Sequence, residues 1–492
     1  MKRKKIIDKK FDYDVCIIGY GLASIYLANL LSNLDKKVLI IEKGSLKQSD
    51  KNRNRNINLG IDHKASNNHL GIKMGGNSSR WGGQLAEMNN EDFKKNYWGT
   101  KFEDFARLYT AVYKVLGIKK EFKEKKISDD FYKYKTIFLN NPDLSKKFKI
   151  DNKKNIKIIK NTTALNFIFK KNKMTKLICK NNKKNIISFD SKIFVIASGT
   201  IESVRLMLMN KKNKTIPFKN NRNIGKFFSD HIGFYIGKLD LSNNEEKFRE
   251  DFENFYLRGN SVQPKIRYYD KKNKLNVSIE FKFLSKFQKY IDESKDLIKD
   301  IKNKFKIYKI LKVFLNIKLF QIFFELLIHY LRTGRIKAFF DKELLVYAQS
   351  EHLKNSKSKI YLKNQKLQDG TNKAYINWKI GNVERKMFLE ICEKLNKYLN
   401  KKKYGNLKIS KNLFSNKIFN RNILDTNHSS GGLQISHDKS KGVCNKNLKV
   451  HGTKNLFILS SSVFPNNGSA NVTLTLFALT HKLFYNLKKL IR

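Results

Sequence analysis

With 492 residues, 40% of them hydrophobic and 12% aromatic, the chain has material for a sizeable core spread over two or three domains. Its four cysteines (Cys16, Cys179, Cys392 and Cys444) are too scattered for a disulfide framework or a zinc site, so no metal is expected. The formal net charge of +58 comes from lysines distributed along nearly every segment, which describes a solvated surface rather than the concentrated basic face of a specific nucleic-acid binder.

The basic N-terminus lacks the apolar core of a secretory signal, and no uncharged run approaches the ~20 residues of a membrane-spanning helix. A soluble, cytoplasmic protein is expected. Weak, salt-sensitive contact with an anionic membrane surface or polymer stays open beside it.

Residues 14–44 read DVCIIGYGLASIYLANLLSNLDKKVLIIEKG. A short apolar run at 15–18 enters the glycine turn Gly19-Tyr20-Gly21, a helical pattern follows, and a second apolar run ends in Glu42. Strand, glycine turn, helix, strand and terminal acid make a dinucleotide-binding βαβ unit. Gly19 makes the tight turn, and Gly21 lets the backbone approach a pyrophosphate seated on the open N–H groups of the helix start. Ser24 stands in the third glycine place and is small enough for helix and strand to pack closely. Glu42, roughly twenty residues past the turn, can accept from a ribose hydroxyl. The unit by itself does not distinguish FAD from NAD.

After a polar loop at 47–60 comes GGNSSRWGGQLAEMNNEDF, residues 75–93. Four glycines around a small polar run and Trp81 forbid a regular helix or strand, and let backbone press against a flat or anionic ligand. Together the two segments resemble the glucose–methanol–choline family of FAD-dependent oxidoreductases, whose second motif runs GG-x-S-x-x-W-G-G along the flavin. The resemblance implies cofactor contacts from Gly75, Gly76, Ser78, Ser79, Trp81 and Gly82. Arg80 stands where some members carry a histidine covalently bonded to flavin. Arginine cannot form that linkage, so noncovalent FAD is implied.

Residues 102–148 read as helical and charged. Four strand-like runs at 155–159, 164–169, 174–179 and 186–189 follow, separated by lysine and asparagine turns; they read as a meander inserted in the nucleotide domain. The resemblance places backbone near Ala164 at the adenine. VIASGTIESVRLML (195–208) is a buried strand, a turn at Gly199 and a helix, similar to the family's AAGAIESxRLL. NIGKFFSDHIG (223–233) resembles the family's xxGRxFxDH stretch, and its Asp230-His231 pair is read as structural, with no catalytic role. KSKIYL (357–362), a turn at Asp369-Gly370 and AYINW (374–378) form a hairpin. Residues 305–340 are an apolar helical run laced with Lys and Arg, a core or dimer helix, with a membrane-surface helix as the alternative. Lys318 and Glu325 exclude a membrane span.

Residues 428–483 carry the strongest signal. Val450, Gly452, Asn455, Leu456, Ser462, Val463, Phe464, Pro465, Asn471 and Thr473 match the family's C-terminal signature. Oxidising an alcohol needs a base for the O–H proton, and a neutral imidazole suits it; a second polar group must hold the oxygen as charge develops. The resemblance puts these roles on His428 and Asn471. His437 and His451 match no family position and are read as surface or structural. Ser460 replaces the family's aspartate near the flavin ribityl chain, and Val472 its proline.

The expectation is an α/β fold. A Rossmann-like, discontinuous FAD-binding domain spans 11–235 and 415–492, and an α+β substrate domain with an antiparallel sheet spans 236–414. The implied activity is oxidation of the CH–OH group of a small alcohol, sugar or polyol, with the electron acceptor unspecified. An NAD(P)-dependent dehydrogenase would explain only the first unit. A basic protein that binds nucleic acid or an anionic polymer and keeps the flavin fold as scaffold suits Ser460 and the charge, but not the His428/Asn471 pair.

Overall fold

Three sheets organise the computed structural model, which describes residues 7–46, 55–68, 71–79, 81–94, 97–119, 123–241, 244–283, 293, 316–337, 339 and 343–491. The apolar run at 15–18 is buried on both faces, as a parallel strand covered on two sides requires. It ends the strand Ile7–Ile18, which lies inside a seven-stranded sheet between Val38–Ile41 and Ile186–Ile196, parallel to both. Ile156–Ile159 extends the sheet beyond Val38–Ile41, also in parallel. Of the four runs expected to form a meander, the first is this parallel strand; the other three do so as Thr162–Lys170, Lys173–Asn181 and the first half of Ile186–Ile196, all antiparallel. The second half of that last strand runs parallel to Leu456–Ile458, so the C-terminal segment returns to the first sheet.

The helix Leu22–Leu31 is buried on almost every side, because the final helix Val472–Leu490 packs over it. Tyr26 joins the two. Its ring stacks on Phe477 at 4.6 Å, and its hydroxyl meets His481 Nε2 at 2.8 Å.

The second sheet has ten strands and is antiparallel, ordered Gly405–Ile409, Ile232–Leu241, Glu343–Ser350, Leu275–Lys282, Asn260–Asp270, Phe131–Phe138 and Gln84–Leu85, with three short strands beside them. It therefore takes in segments well before residue 236. Residues 102–148 are helical only in part: the helix Phe102–Leu116 gives way to Phe131–Phe138, FYKYKTIF. Phe131, Tyr134, Thr136 and Ile137 are buried there, on both faces of the strand, and the intervening Lys133 and Lys135 are themselves half-buried, so the charges disguised a strand covered on two sides.

The hairpin Lys359–Lys366 and Asn372–Asn377 turns near Gly370, which has φ +91°, and Asn56–Asn58 joins it in parallel as a third sheet. An ionic cluster fastens it to the nucleotide domain. Asp369 pairs with Lys43 and, at 2.5 Å, with Arg55; Arg55 reaches Glu202 at 3.3 Å, and Arg205 reaches Glu202 at 2.9 Å. Arg205, Arg55 and Lys43 outweigh the cost of burial at Glu202, and Arg55 and Lys43 do so at Asp369, holding both carboxyls far below the usual carboxylate range.

Within 305–340, residues 305–315 lie outside the described residues, and the helix runs Ile317–Thr333, capped by Asn316 and ended by Gly334 in the left-handed conformation. It buries Leu319, Ile322 and Leu326 and exposes Ile317, Phe324, Ile328 and Leu331. Among the described residues, no helix is long and apolar enough to cross a membrane.

Candidate active site

The glycine elements read from sequence converge. Gly19 has φ +103°, and a Cβ there would lie 2.8 Å from Ala197 O and 2.9 Å from Ser198 Cα, so the turn closes directly on the end of the neighbouring strand. Ser198 Oγ donates to Ile18 O at 2.8 Å across the same junction. Gly21 caps the helix Leu22–Leu31, and a Cβ on Gly76 would stand 3.1 Å from Gly21 Cα, so the second glycine loop lies against the first. Ser24 is fully buried with Oγ 3.4 Å from Ala197 O, the close helix–strand packing its size permits. Glu42 accepts from Tyr20 N at 2.8 Å and Gly44 N at 2.6 Å; each oxygen keeps a lone pair for a further donor. Burial raises its pKa despite those bonds. Thr162 N bonds Glu42 O, which brings the strand carrying Ala164 to the same edge.

Gly75 adopts φ +83°, and Ser78 is buried with an unpartnered Oγ. Arg80 and the side chain of Ser79 lie outside the described residues. Trp81 donates its indole N–H to Pro142 O at 2.7 Å and meets Phe477 edge-on, which pins the loop to the body of the protein. Gly82 and Gly199 both face open space. Thr200, one residue into the next helix, bonds Ser429 O at 2.6 Å and Ser461 Oγ at 2.8 Å, tying the cradle to both C-terminal motifs. Ser460 is buried against Ser462, and Thr473 sits in the first turn of the final helix.

An elongated anionic dinucleotide fits this arrangement. The helices beginning at Leu22, Gly199 and Val472 all lack a side-chain cap, leaving N–H groups open. A Cβ on Gly21, Gly82 or Gly199 would meet nothing within 4 Å. Ser78 Oγ, Asn467 Nδ2 and Ser469 Oγ are buried without partners.

His428 is part-buried, and its Nδ1 lies 2.9 Å from Thr426 Oγ1 and 2.9 Å from His231 Nδ1. Burial, joined by His231 and Lys265 and opposed by Asp230, pushes its pKa down to about 3, so the ring is neutral. Asp230 is fully buried and accepts from His428 N at 3.1 Å, Thr426 Oγ1 at 3.0 Å and His63 Nε2 at 2.9 Å. The bond and charge of His63, with the His428 and His231 rings, outweigh burial and hold its pKa at about 2. The Asp230-His231 pair, read from sequence as structural, thus touches His428 directly. Asn471 caps the final helix and donates Nδ2–H to Gln84 Oε1 at 2.9 Å, while Gln84 donates to Thr136 Oγ1 and Gln263 Oε1. His437 is exposed and His451 bonds Ser436 O, so neither enters this group. A cavity of about 310 Å³ borders the same segments, lined among others by Tyr97, Ser229, His352, Lys354, Ser430 and Asn466.

Residues 354–480 match the family model described as GMC oxidoreductase. The whole fold is similar to pyridoxine 4-oxidase from Mesorbium loti, with TM-score 0.61 and 13% identity over 96% of this chain and 99% of that one. It is also similar to formate oxidase, with TM-score 0.59 and 14% identity over 97% and 98%. A variant of the Aspergillus oryzae RIB40 formate oxidase studied for FAD modification aligns with TM-score 0.57 and 14% identity over 97% and 98%. No curated protein sequence matches the chain. Residues 354–480 thus match the GMC oxidoreductase model, and the fold is shared with these oxidases along nearly the whole chain.

Proposed function

We propose that the protein is an FAD-dependent oxidoreductase that oxidises the CH–OH group of a small alcohol, sugar or polyol. The observation that carries this reading is the neutral, part-buried His428, joined through Thr200, Ser429 and Ser461 to an open glycine cradle. The backbone at Gly19, Gly21, Gly75 and Gly76 would hold the cofactor's phosphates, Glu42 its ribose, and Gly199, Ser460 and Thr473 its remaining polar groups. When bound, FAD supplies the acceptor for the hydride leaving the carbinol carbon. His428 takes the hydroxyl proton, which its uncharged ring can do across the physiological range. Asn471 steadies the oxygen. One of its amide hydrogens is committed to Gln84, and the other is left for the substrate as negative charge grows.

With Arg80 in the histidine place, the cofactor is held without a covalent bond. The test is the absorption spectrum of the purified protein, then acid precipitation, then anaerobic mixing with a panel of primary alcohols, sugars and polyols. Flavin bands released by acid and bleached by one class of alcohol are expected. A colourless protein, or a flavin that no alcohol reduces, would overturn the activity; colour retained by the precipitate would overturn the noncovalent assignment.

A second reading concerns location. We infer a cytoplasmic protein whose helix Ile317–Thr333 rests on an anionic membrane surface. Ile317, Phe324, Ile328 and Leu331 share one stripe opposite the buried Leu319, Ile322 and Leu326, and Lys318 and Arg332 flank it.

A further inference from the structure

The contacts of His428 fix more than its place. The carbonyl of Asn467 only accepts hydrogen bonds, and it lies 3.0 Å from His231 Nε2, so that nitrogen carries the hydrogen. His231 is fully buried and its pKa is lowered, chiefly by burial, against the opposing pull of Asp230, Asn467 and Glu351. The ring is therefore neutral, and its Nδ1 is bare. Two imidazole nitrogens 2.9 Å apart need one hydrogen between them, and only His428 Nδ1 can supply it.

The contact with Thr426 leads to the same answer independently. Thr426 Oγ1 gives its hydrogen to Asp230 Oδ1 at 3.0 Å, because a carboxylate that is ionised can only accept. Toward His428 Nδ1 the threonine oxygen is thus an acceptor too. Asp230 is kept in place by His63 Nε2, Ser429 Oγ and the backbone N–H groups of Thr426 and His428. The charged groups acting on this cluster are Asp230, Asp425, Glu351 and Lys265, with His63 on the far side of Asp230.

We infer that His231 is a positioning residue that locks His428 as the Nδ1–H tautomer, leaving Nε2 as the one proton acceptor on the ring. This rests on the proposed role of His428 as base. Free histidine favours the opposite tautomer, with the hydrogen on Nε2, in which the ring presents a donor where the reaction needs an acceptor. In the proton transfer one O–H bond breaks and one Nε2–H bond forms; the Nδ1–H bond to His231 persists, and Asp230 offsets the new charge. The dipeptide divides the work: Asp230 seats the 426–429 backbone, and His231 sets the tautomer.

The experiment uses FAD-loaded protein labelled with ¹⁵N at histidine and two-bond ¹H–¹⁵N correlation spectra, which separate the two neutral tautomers. The His428 signals are identified by their loss in His428→Asn. Wild type is expected to show His428 as Nδ1–H; in His231→Leu, where Thr426 Oγ1 is the one acceptor left, a clear share should move to Nε2–H; His231→Asn, whose amide oxygen stands near the lost Nδ1, should restore the wild-type spectrum. Flavin reduction by alcohol should slow in His231→Leu in proportion to the Nδ1–H share lost, at unchanged half-saturating substrate, and recover in His231→Asn. A wild-type His428 protonated on Nε2 overturns the inference, as does an unchanged tautomer in a His231→Leu protein that binds FAD. Should the leucine variant not fold, the wild-type and His231→Asn spectra decide alone. The spectra need no substrate, so they stand even if no alcohol reduces the flavin, and a failure of the oxidoreductase reading remains separate.

Discussion

Replacing Gly21 by valine should empty the cofactor site without touching the fold, whereas replacing Gly19 by alanine should damage the fold itself. Gly21 has φ −100° and ψ −169°, an extended conformation open to any residue, and a Cβ there meets nothing within 4 Å. A side chain there grows from a Cβ that no protein atom touches into the space over the helix start, where an anion would sit. Backbone N–H bonds to a charged acceptor are worth about 1.5–3 kcal/mol each. Losing two of them weakens FAD by roughly 3–6 kcal/mol, or about 10²–10⁴-fold in Kd. At Gly19 the left-handed φ of +103° costs an alanine about 1–2 kcal/mol. Its Cβ would also overlap Ala197 O at 2.8 Å, adding overpacking of about 1–3 kcal/mol. The assays are the flavin-to-protein absorbance ratio, FAD titration of flavin-free protein, and thermal melting of both variants without flavin. Full FAD occupancy in Gly21→Val would refute the reasoning. So would a flavin-free Gly21→Val that melts as early as Gly19→Ala.

His428→Ala and Asn471→Ala should each slow flavin reduction by about 10²–10⁴ with FAD still bound, and the double variant should cost less than the product, since both groups act on one oxygen. Because burial holds His428 down to about 3, the wild-type rate should stay level from pH 8 to pH 5; a fall centred near the ordinary histidine pKa would contradict this. Asp369→Ala strands Lys43 and leaves Arg55 with Glu202 as its one carboxylate, and should cost about 3 kcal/mol in urea unfolding at neutral pH. Since the carboxyls of Asp369 and Glu202 are depressed on folding, the unfolded chain binds more protons in acid. Their stabilisation is complete above the unfolded carboxylate pKa near 4 and fades as pH falls below it, so the wild-type advantage over Asp369→Ala should shrink there; an advantage that grows in acid would be inconsistent. Finally, the protein should sediment with anionic vesicles, wash off in high salt, and lose that binding in Ile328→Glu/Leu331→Glu; release only by detergent would contradict a surface helix.

Both ends of the chain were legible in the sequence because their signals are local. A glycine with a required positive φ, as at Gly19, or a small residue at a helix–strand contact, as at Ser24, is specified by its immediate neighbours. The hairpin around Gly370 is legible for the same reason. His231 was not, because its meaning lies in a contact with a residue 197 positions away. A signal was nevertheless present: an acid and a histidine side by side at the entrance to an apolar strand are both buried, and buried titratable groups need partners. Phe131–Phe138 was missed for another reason. Lysine stems can cover apolar surface while their heads reach water or an acid, as Lys133 does toward Asp251, so charge in this sequence is a poor marker of exposure. Lys265 makes the point most sharply, since it is itself buried in the sheet and paired with Glu280 at 2.6 Å.

That overlooked strand bears on the chemistry. Gln84 follows the last glycine of the cradle and pairs opposite Phe138; its amide is fixed by Thr136 of the same strand and by Gln263 of the next. Its remaining oxygen holds Asn471. The loop proposed to receive the cofactor and the amide proposed to hold the substrate oxygen are therefore set by one segment, so a shift of the 75–85 backbone moves both together. Orientation of this kind is worth far more than the one hydrogen bond that enforces it, because a misplaced polar group stabilises charge only where the charge does not develop. On the proposed role of Asn471, Gln84→Leu should therefore slow flavin reduction with FAD still bound, and an unchanged rate would refute the link.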